Sequence, residues 1–174
     1  KKKKMNSLSD KDIICALYAA SCAGVKIDLI VRGICCLKVG IKGVSENITV
    51  RSIVGTFLEH ARIFDFRIDN DEEIFLGSAD WMNRNLEKRV EIVFPVADED
   101  IIRSIKHYLE VELEDNVKAS ILLPDNSYEK IKRAGNAKKN SQAIFIKEAN
   151  HIYDAAIKVN KIEDNRTFVP LQGE

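Results

Sequence analysis

The chain has 174 residues and 45% apolar composition, enough to build one compact domain with a real core. Its 27 basic and 27 acidic residues cancel, so no overall field steers it towards nucleic acid or an anionic membrane, and any anion binding must come from local basic clusters. No stretch approaches the roughly 20 apolar residues that cross a bilayer, and Lys1–Lys4 followed by Met5-Asn6-Ser7 lack the apolar middle of a signal peptide. The expectation is a single soluble, intracellular domain over 1–174.

Ser9, three residues before Asp12, opens an apolar-periodic helix through Ile13, Leu17 and Ala20, closed by Gly24 as a left-handed cap. Val25 to Val31 reads as a strand covered on both faces, and its near-continuous apolar run is interrupted only at Lys26 and Asp28. After a loop with Gly40 and Gly43 come a short strand, Ile48 to Ile53, and a second strand, His60 to Phe66. Asp69-Asn70-Asp71 is turn chemistry, and Glu73 to Gly77 returns from it as a hairpin. Val90 to Val96 is a further strand. The next helix sets Ile102, Ile105 and Leu109 on one side and buries them. Val117 to Leu123 is a strand closed by Pro124, Lys130 to Lys139 a basic surface loop, and Ser141 to about Val159 the last helix. Alternating strands and helices predict an α/β domain, a mixed sheet flanked by helices.

The four cysteines, at 15, 22, 35 and 36, form no Cys-x-x-Cys, and no histidine pair stands at ligand spacing. Zinc and a disulfide framework are both disfavoured, and the thiols are expected to pack as small buried hydrophobes.

Chemistry concentrates around His60. On a strand His60, Arg62, Phe64 and Phe66 share one face while Ala61 and Ile63 share the other. If the hairpin turns near Asn70, partner numbers sum to about 140, which sets His60 opposite Ser78 to Asp80. Arg84 and Arg89 lie just beyond, and Arg32 sits at the carboxyl end of a strand, where open α/β sheets place ligands. Arginine supplies forked donors for phosphate, and histidine can act as acid, base or nucleophile. A histidine amid arginines suits an anionic phosphate.

Several runs then carry a resemblance. Lys4-Met5-Asn6-Ser7-Leu8, Val31-Arg32-Gly33-Ile34-Cys35-Cys36-Leu37, Ser45-Glu46-Asn47-Ile48, Ser52-Ile53-Val54-Gly55, Phe57-Leu58-Glu59-His60 and Ser78-Ala79-Asp80-Trp81-Met82 closely resemble the C-terminal part of bacterial polyphosphate kinases. The likeness is dense over roughly positions 4 to 96 and looser beyond. It implies the second of two adjacent phospholipase-D-like domains, in an enzyme that moves the terminal phosphate of ATP to polyphosphate through a phosphohistidine on the domain before it. His60 would be the second active-site histidine, an acid or base. Arg32 and Arg89 would hold phosphates, and Arg62 and Arg84 are weaker assignments. Leu76-Gly77-Ser78-Ala79-Asp80 looks like the end of a phospholipase D motif, so Ser78 and Asp80 would orient the site. ATP and ADP are implied as substrates, with magnesium held mainly outside this segment. Polyphosphate, the rest of the chain and further copies are implied as partners, with no nucleic acid. The implied location is the cytoplasm or the inner face of the inner membrane. The segment alone would be inactive.

Departures bear on this. The phospholipase D pattern wants lysine two residues after the histidine, where Arg62 stands, which disfavours phosphodiester cleavage. The kinase family would have Arg-Pro at Lys38-Val39, arginine at Thr56 and an aromatic at Asp65. A phosphodiesterase half-domain and a non-catalytic polyanion-binding module are the competing readings. His107 and His151 read as helix surface, Trp81 as a packing anchor rather than an adenine stack, and Lys1–Lys4 are given no role.

Overall fold

The computed structural model describes residues 1–68, 71–133 and 135–160; the turn expected at Asp69-Asn70 lies outside them. Two compact units result, Lys1–Gln142 and Ala143–Glu174. The second consists, as far as it is described, of most of a helix that starts at Ser141. No described helix is long and apolar enough to cross a membrane.

The first unit is built on an eight-stranded mixed sheet. In chain order the elements are β1 (Lys2–Met5), α1 (Lys11–Cys22), β2 (Ile27–Val31), β3 (Ile48–Ile53), β4 (Arg62–Ile68), β5 (Asp71–Gly77), α2 (Asn83–Lys88), β6 (Val93–Pro95), α3 (Glu99–Leu113), β7 (Ala119–Leu122), β8 (Tyr128–Lys130) and α4 (Ser141–Asn160). The spatial order is β6-β5-β4-β1-β2-β3-β7-β8. The three inner strands β1, β2 and β3 run parallel and the rest pair antiparallel. The mixed α/β sheet with helices is the expected class.

The leading lysines correct the sequence reading. They form β1, with Lys3 and Lys4 only 2% and 4% exposed. Alternation sends successive residues to opposite faces. Lys3 and Met5 join Leu29, Val50 and Phe64 on the face that α1 covers through Leu17, Ile13 and Ile14. Lys4 joins Ile30 and Ile63 on the face of the second core, with Leu109, Ile102 and Ile105 of α3. Lys3 Nζ donates to Asp65 O at 3.0 Å and sits over the Phe66 ring, and burial lowers its pKa to about 7.

Boundaries shift elsewhere. The cap of α1 is Asp10 rather than Ser9: its carboxylate accepts from Ile13 N at 2.9 Å. Gly24 takes φ +83, as a left-handed helix end requires. β4 begins at Arg62, so His60 stands outside the ladder, and β6 covers only part of Val90 to Val96. The helix α2 and the hairpin β7–β8, turned at Asn126 with φ 68, were not foreseen. The expected cysteine burial is also wrong: Cys15, Cys22 and Cys36 are exposed and Cys35 is half-buried, all free. Cys15 and Cys22 lie on the side of α1 away from Leu17, and Cys36 lies in the loop beyond β2. Trp81 stacks on Phe64, with centroids 5.1 Å apart and planes within 8°, which makes it a packing residue.

Candidate phosphate-handling site

One end of the sheet collects the chemistry. Asn6 follows β1, Arg32 follows β2, the segment from Val54 to Ala61 follows β3, Ser78–Asp80 follow β5, and Arg62 opens β4, which runs the other way. Because Arg62 pairs with Gly77, His60, two residues before that rung, and Asp80, three residues after it, leave the same end of the hairpin. The β5–α2 link is fastened to the β1–α1 link: Trp81 N donates to Ser7 O at 3.2 Å, and Ser9 N and Asp10 N donate to Trp81 O at 2.8 and 3.0 Å.

Within that frame the side chains form a continuous hydrogen-bonded chain. Arg62 Nη2 lies 3.0 Å from His60 Nε2, and Nη1 donates to His60 O at 2.9 Å. The same guanidinium grips Asp80 with two bonds, Nη2 to Oδ2 at 3.0 Å and Nε to Oδ1 at 3.2 Å. Asp80, 2% exposed, accepts further from Asn6 N at 2.8 Å and Ser7 N at 3.2 Å. Burial by itself would raise the Asp80 carboxyl; Arg62 and the two amides outweigh it and hold the pKa below the ordinary value. Asn6 Oδ1 in turn accepts from Arg32 Nε at 2.9 Å and Nη2 at 2.6 Å. Arginine only donates, so in this contact the guanidinium is the donor and the ring nitrogen the acceptor.

The structure thus connects His60, Arg62, Asp80 and Arg32. Ser78 is engaged elsewhere, donating to Glu91 and accepting from Ile92 N at 3.1 Å. Arg84 and Arg89 are exposed, on α2 and at its C-cap, and neither joins the chain around His60. Sequence reasoning missed Asn6, whose signal was its place inside a matched run. It also missed a second cluster behind the site: Lys4 Nζ contacts Glu59, Tyr108 and Glu112, and Tyr108 OH donates to Glu59 Oε2 at 2.6 Å. Burial, followed by the Glu59 hydrogen bond, raises the Glu112 pKa to about 8, while Glu59 is held well below the ordinary carboxylate range. Two carboxyls sharing one ammonium divide the roles, one ionised and one protonated.

A cation finds poor ligands here. Among the described residues no group of three or more His, Cys, Asp or Glu could hold a metal ion. Asp80 is already taken by Arg62 and two amides, so these residues do not fit magnesium.

This mixed-sheet α/β domain gathers a histidine and two arginines at one end of its strands, where open α/β sheets place ligands. Residues 2–142 match the family described as polyphosphate kinase C-terminal domain 2. Polyphosphate kinases of Pseudomonas aeruginosa and Lactiplantibacillus plantarum are each 51% identical, over 83% and 98% of this chain. A crystal structure of polyphosphate kinase from Porphyromonas gingivalis superimposes with a TM-score of 0.83 at 42% identity, covering 88% of this chain and 24% of that one. The chain belongs to the polyphosphate kinase C-terminal domain 2 family. It spans 21% and 24% of the length of the two curated relatives.

Proposed function

We propose that this domain takes part in reversible transfer of the terminal phosphate of ATP to polyphosphate, within a longer chain whose preceding domain carries a phosphohistidine. The observation that supports it best is the exposed imidazole of His60, tied through Arg62 to the buried carboxylate of Asp80. Phosphoryl transfer needs positioning and positive donors more than covalent work from the protein. His60 offers a proton to an oxygen of the moving phosphoryl group and can take it back in the reverse direction. Asp80 fixes Arg62, and Arg62 fixes the ring. Arg32, held through Asn6, and Arg89 supply donors to phosphate oxygens as charge develops; Arg62 and Arg84 add weaker contacts, and Ser78 supports the turn beside them.

ATP, ADP and polyphosphate are the substrates in this reading, the remaining domains and further copies of the chain are partners, and the cytoplasm, including the inner-membrane surface, is the location. No step is assigned to magnesium through these residues. The segment by itself would not turn over.

The test compares His60→Gln, Arg32→Ala and Arg89→Ala in the complete enzyme. Loss of an acid or base lowers kcat by about 10²–10⁴-fold, whereas the arginine variants raise KM for polyphosphate and flatten its salt dependence. Normal kcat in His60→Gln with only the arginine variants impaired would favour a polyanion-binding module. Hydrolysis of a phosphodiester to a phosphomonoester and an alcohol would favour the hydrolase.

A further inference from the structure

Residues 54–61, between β3 and β4, carry His60 but belong to no strand. Val54, Phe57 and Leu58 are 65%, 56% and 76% exposed, so apolar burial does not fix the path of this segment. Hydrogen bonds to distant residues do. Gln142, 7% exposed, accepts from Phe57 N at 3.0 Å through Oε1 and donates to Phe57 O at 3.0 Å through Nε2, as a neighbouring strand would. The same Nε2 donates to Glu59 Oε1 at 2.7 Å, so both amide hydrogens of Gln142 are used on the segment. A Cβ on Gly55 would stand 2.2 Å from Gln142 Oε1, which shows how closely the main chain is drawn in. Gln142 is placed by its neighbour: buried Ser141 gives its N–H and hydroxyl to Asp115 Oδ2, each at 2.8 Å.

The other oxygen of Glu59 takes Tyr108 OH and Lys4 Nζ, and Lys4 reaches on to Glu112, whose Oε2 finds no partner among the described residues. Such a buried ionic cluster is a poor way to gain stability, because well-packed apolar residues of similar volume often do as well or better. What it does here is anchor Glu59, the residue before His60, from β1 and α3 at once.

We propose that Glu59 and Gln142 are positioning residues that fix the main chain before His60 and thereby present its imidazole to the phosphoryl group. The inference rests on His60 acting in phosphoryl transfer. It goes beyond that reading by assigning the geometry of the ring to a clamp on the side of the sheet away from Arg62. Arg62 and Asp80 set the ring's rotation; Glu59 and Gln142 set where its Cα stands.

The test is a double-mutant cycle in the complete polyphosphate kinase chain, with Glu59→Gln, Gln142→Ala, His60→Ala and both double variants. Misplacing a reacting group by a fraction of an ångström to 1 Å costs up to about a hundredfold, so each single clamp variant should lower kcat by about tenfold with little change in KM for ATP. In the His60→Ala background the same changes should cost nothing further, because they act through the ring. Glu72→Gln, which cuts the Lys106 bond of 2.6 Å and the Arg67 bond elsewhere on the sheet, should leave kcat unchanged. Glu59→Gln keeps the side-chain shape and carries the test if Gln142→Ala does not fold. Normal kcat in the clamp variants beside a collapsed His60→Ala, or losses that add in the doubles, would overturn the clamp alone. Unimpaired His60→Ala would overturn the reading beneath it as well.

Discussion

The two faces of the sheet are built from opposite materials. Under α1 the sheet presents Leu29, Val31, Val50, Met5 and Phe64, closely packed, with the amine of Lys3 the single buried charge-bearing group in β1 to β4 on that side. Under α3 an apolar cluster of Ile30, Ile53, Ile63, Ile74 and Leu109 stands beside Lys4, Glu59, Tyr108 and Glu112. The first face could be refilled with other apolar residues of the same volume. On the second, removing the Lys4 cation strands the Glu59 carboxylate that it pairs with. The α1 face relies on apolar packing, and the α3 face adds to its apolar cluster the polar contacts that hold the segment before His60.

The largest expected effect comes from breaking the polar face unevenly. Lys4→Met leaves buried Glu112 and half-buried Glu59 and Tyr108 around a missing cation and should cost about 3–5 kcal/mol in urea unfolding. Replacing Lys4 and the ionised Glu59 together, by Met and Gln, removes both charges and should recover most of that loss. If the pair costs as much as the single variant, the cluster is a source of stability after all. Next is the apolar face: Leu29→Ala, at a position with 0% exposure, should cost about 2–5 kcal/mol while leaving KM values near wild type.

A smaller effect separates the faces by pH. Glu112 is raised from its ordinary 4.5 to about 8 by burial, so the folded state holds a proton that the unfolded state releases. Its stabilising contribution is complete below about 4.5 and is lost as pH rises through about 8. Lys3, lowered from 10.5 to about 7 by burial, behaves oppositely: its folded form is neutral first, so stability rises with pH between those values. Thermal midpoints of Glu112→Gln and Lys3→Met across pH 5 to 10 should show the two slopes removed separately. Unchanged slopes would contradict both assignments. The smallest effect is Val90→Ser, at a fully exposed position, expected within about 0.5 kcal/mol of wild type.

Much of this was readable beforehand because it is local. β3 runs from Ile48 to Ile53 as periodicity and turn residues indicate, α1 is closed just beyond Cys22 by the left-handed Gly24, and the β4–β5 register follows from the hairpin spacing. What escaped depends on partners far away in the chain. Lys1–Lys4 have no evident role until Glu112, 108 positions on, is known to meet Lys4. His60 looks like part of a strand until Gln142, whose bonds to Phe57 and Glu59 span 85 and 83 positions, is seen holding that segment off the ladder. Around the site, His60, Arg62 and Asp80 could be juxtaposed from register alone. Asn6 could not be, because its link to Arg32 requires β1 beside β2.

The most direct measurement is ADP formation from ATP and polyphosphate by the complete enzyme, wild type against His60→Ala, with phosphohistidine labelling followed in parallel. The account predicts that turnover collapses while labelling of the other domain persists, placing His60 in a step after the phosphoenzyme forms. Near-normal turnover would contradict it and leave His60 a structural residue beside phosphate-binding arginines.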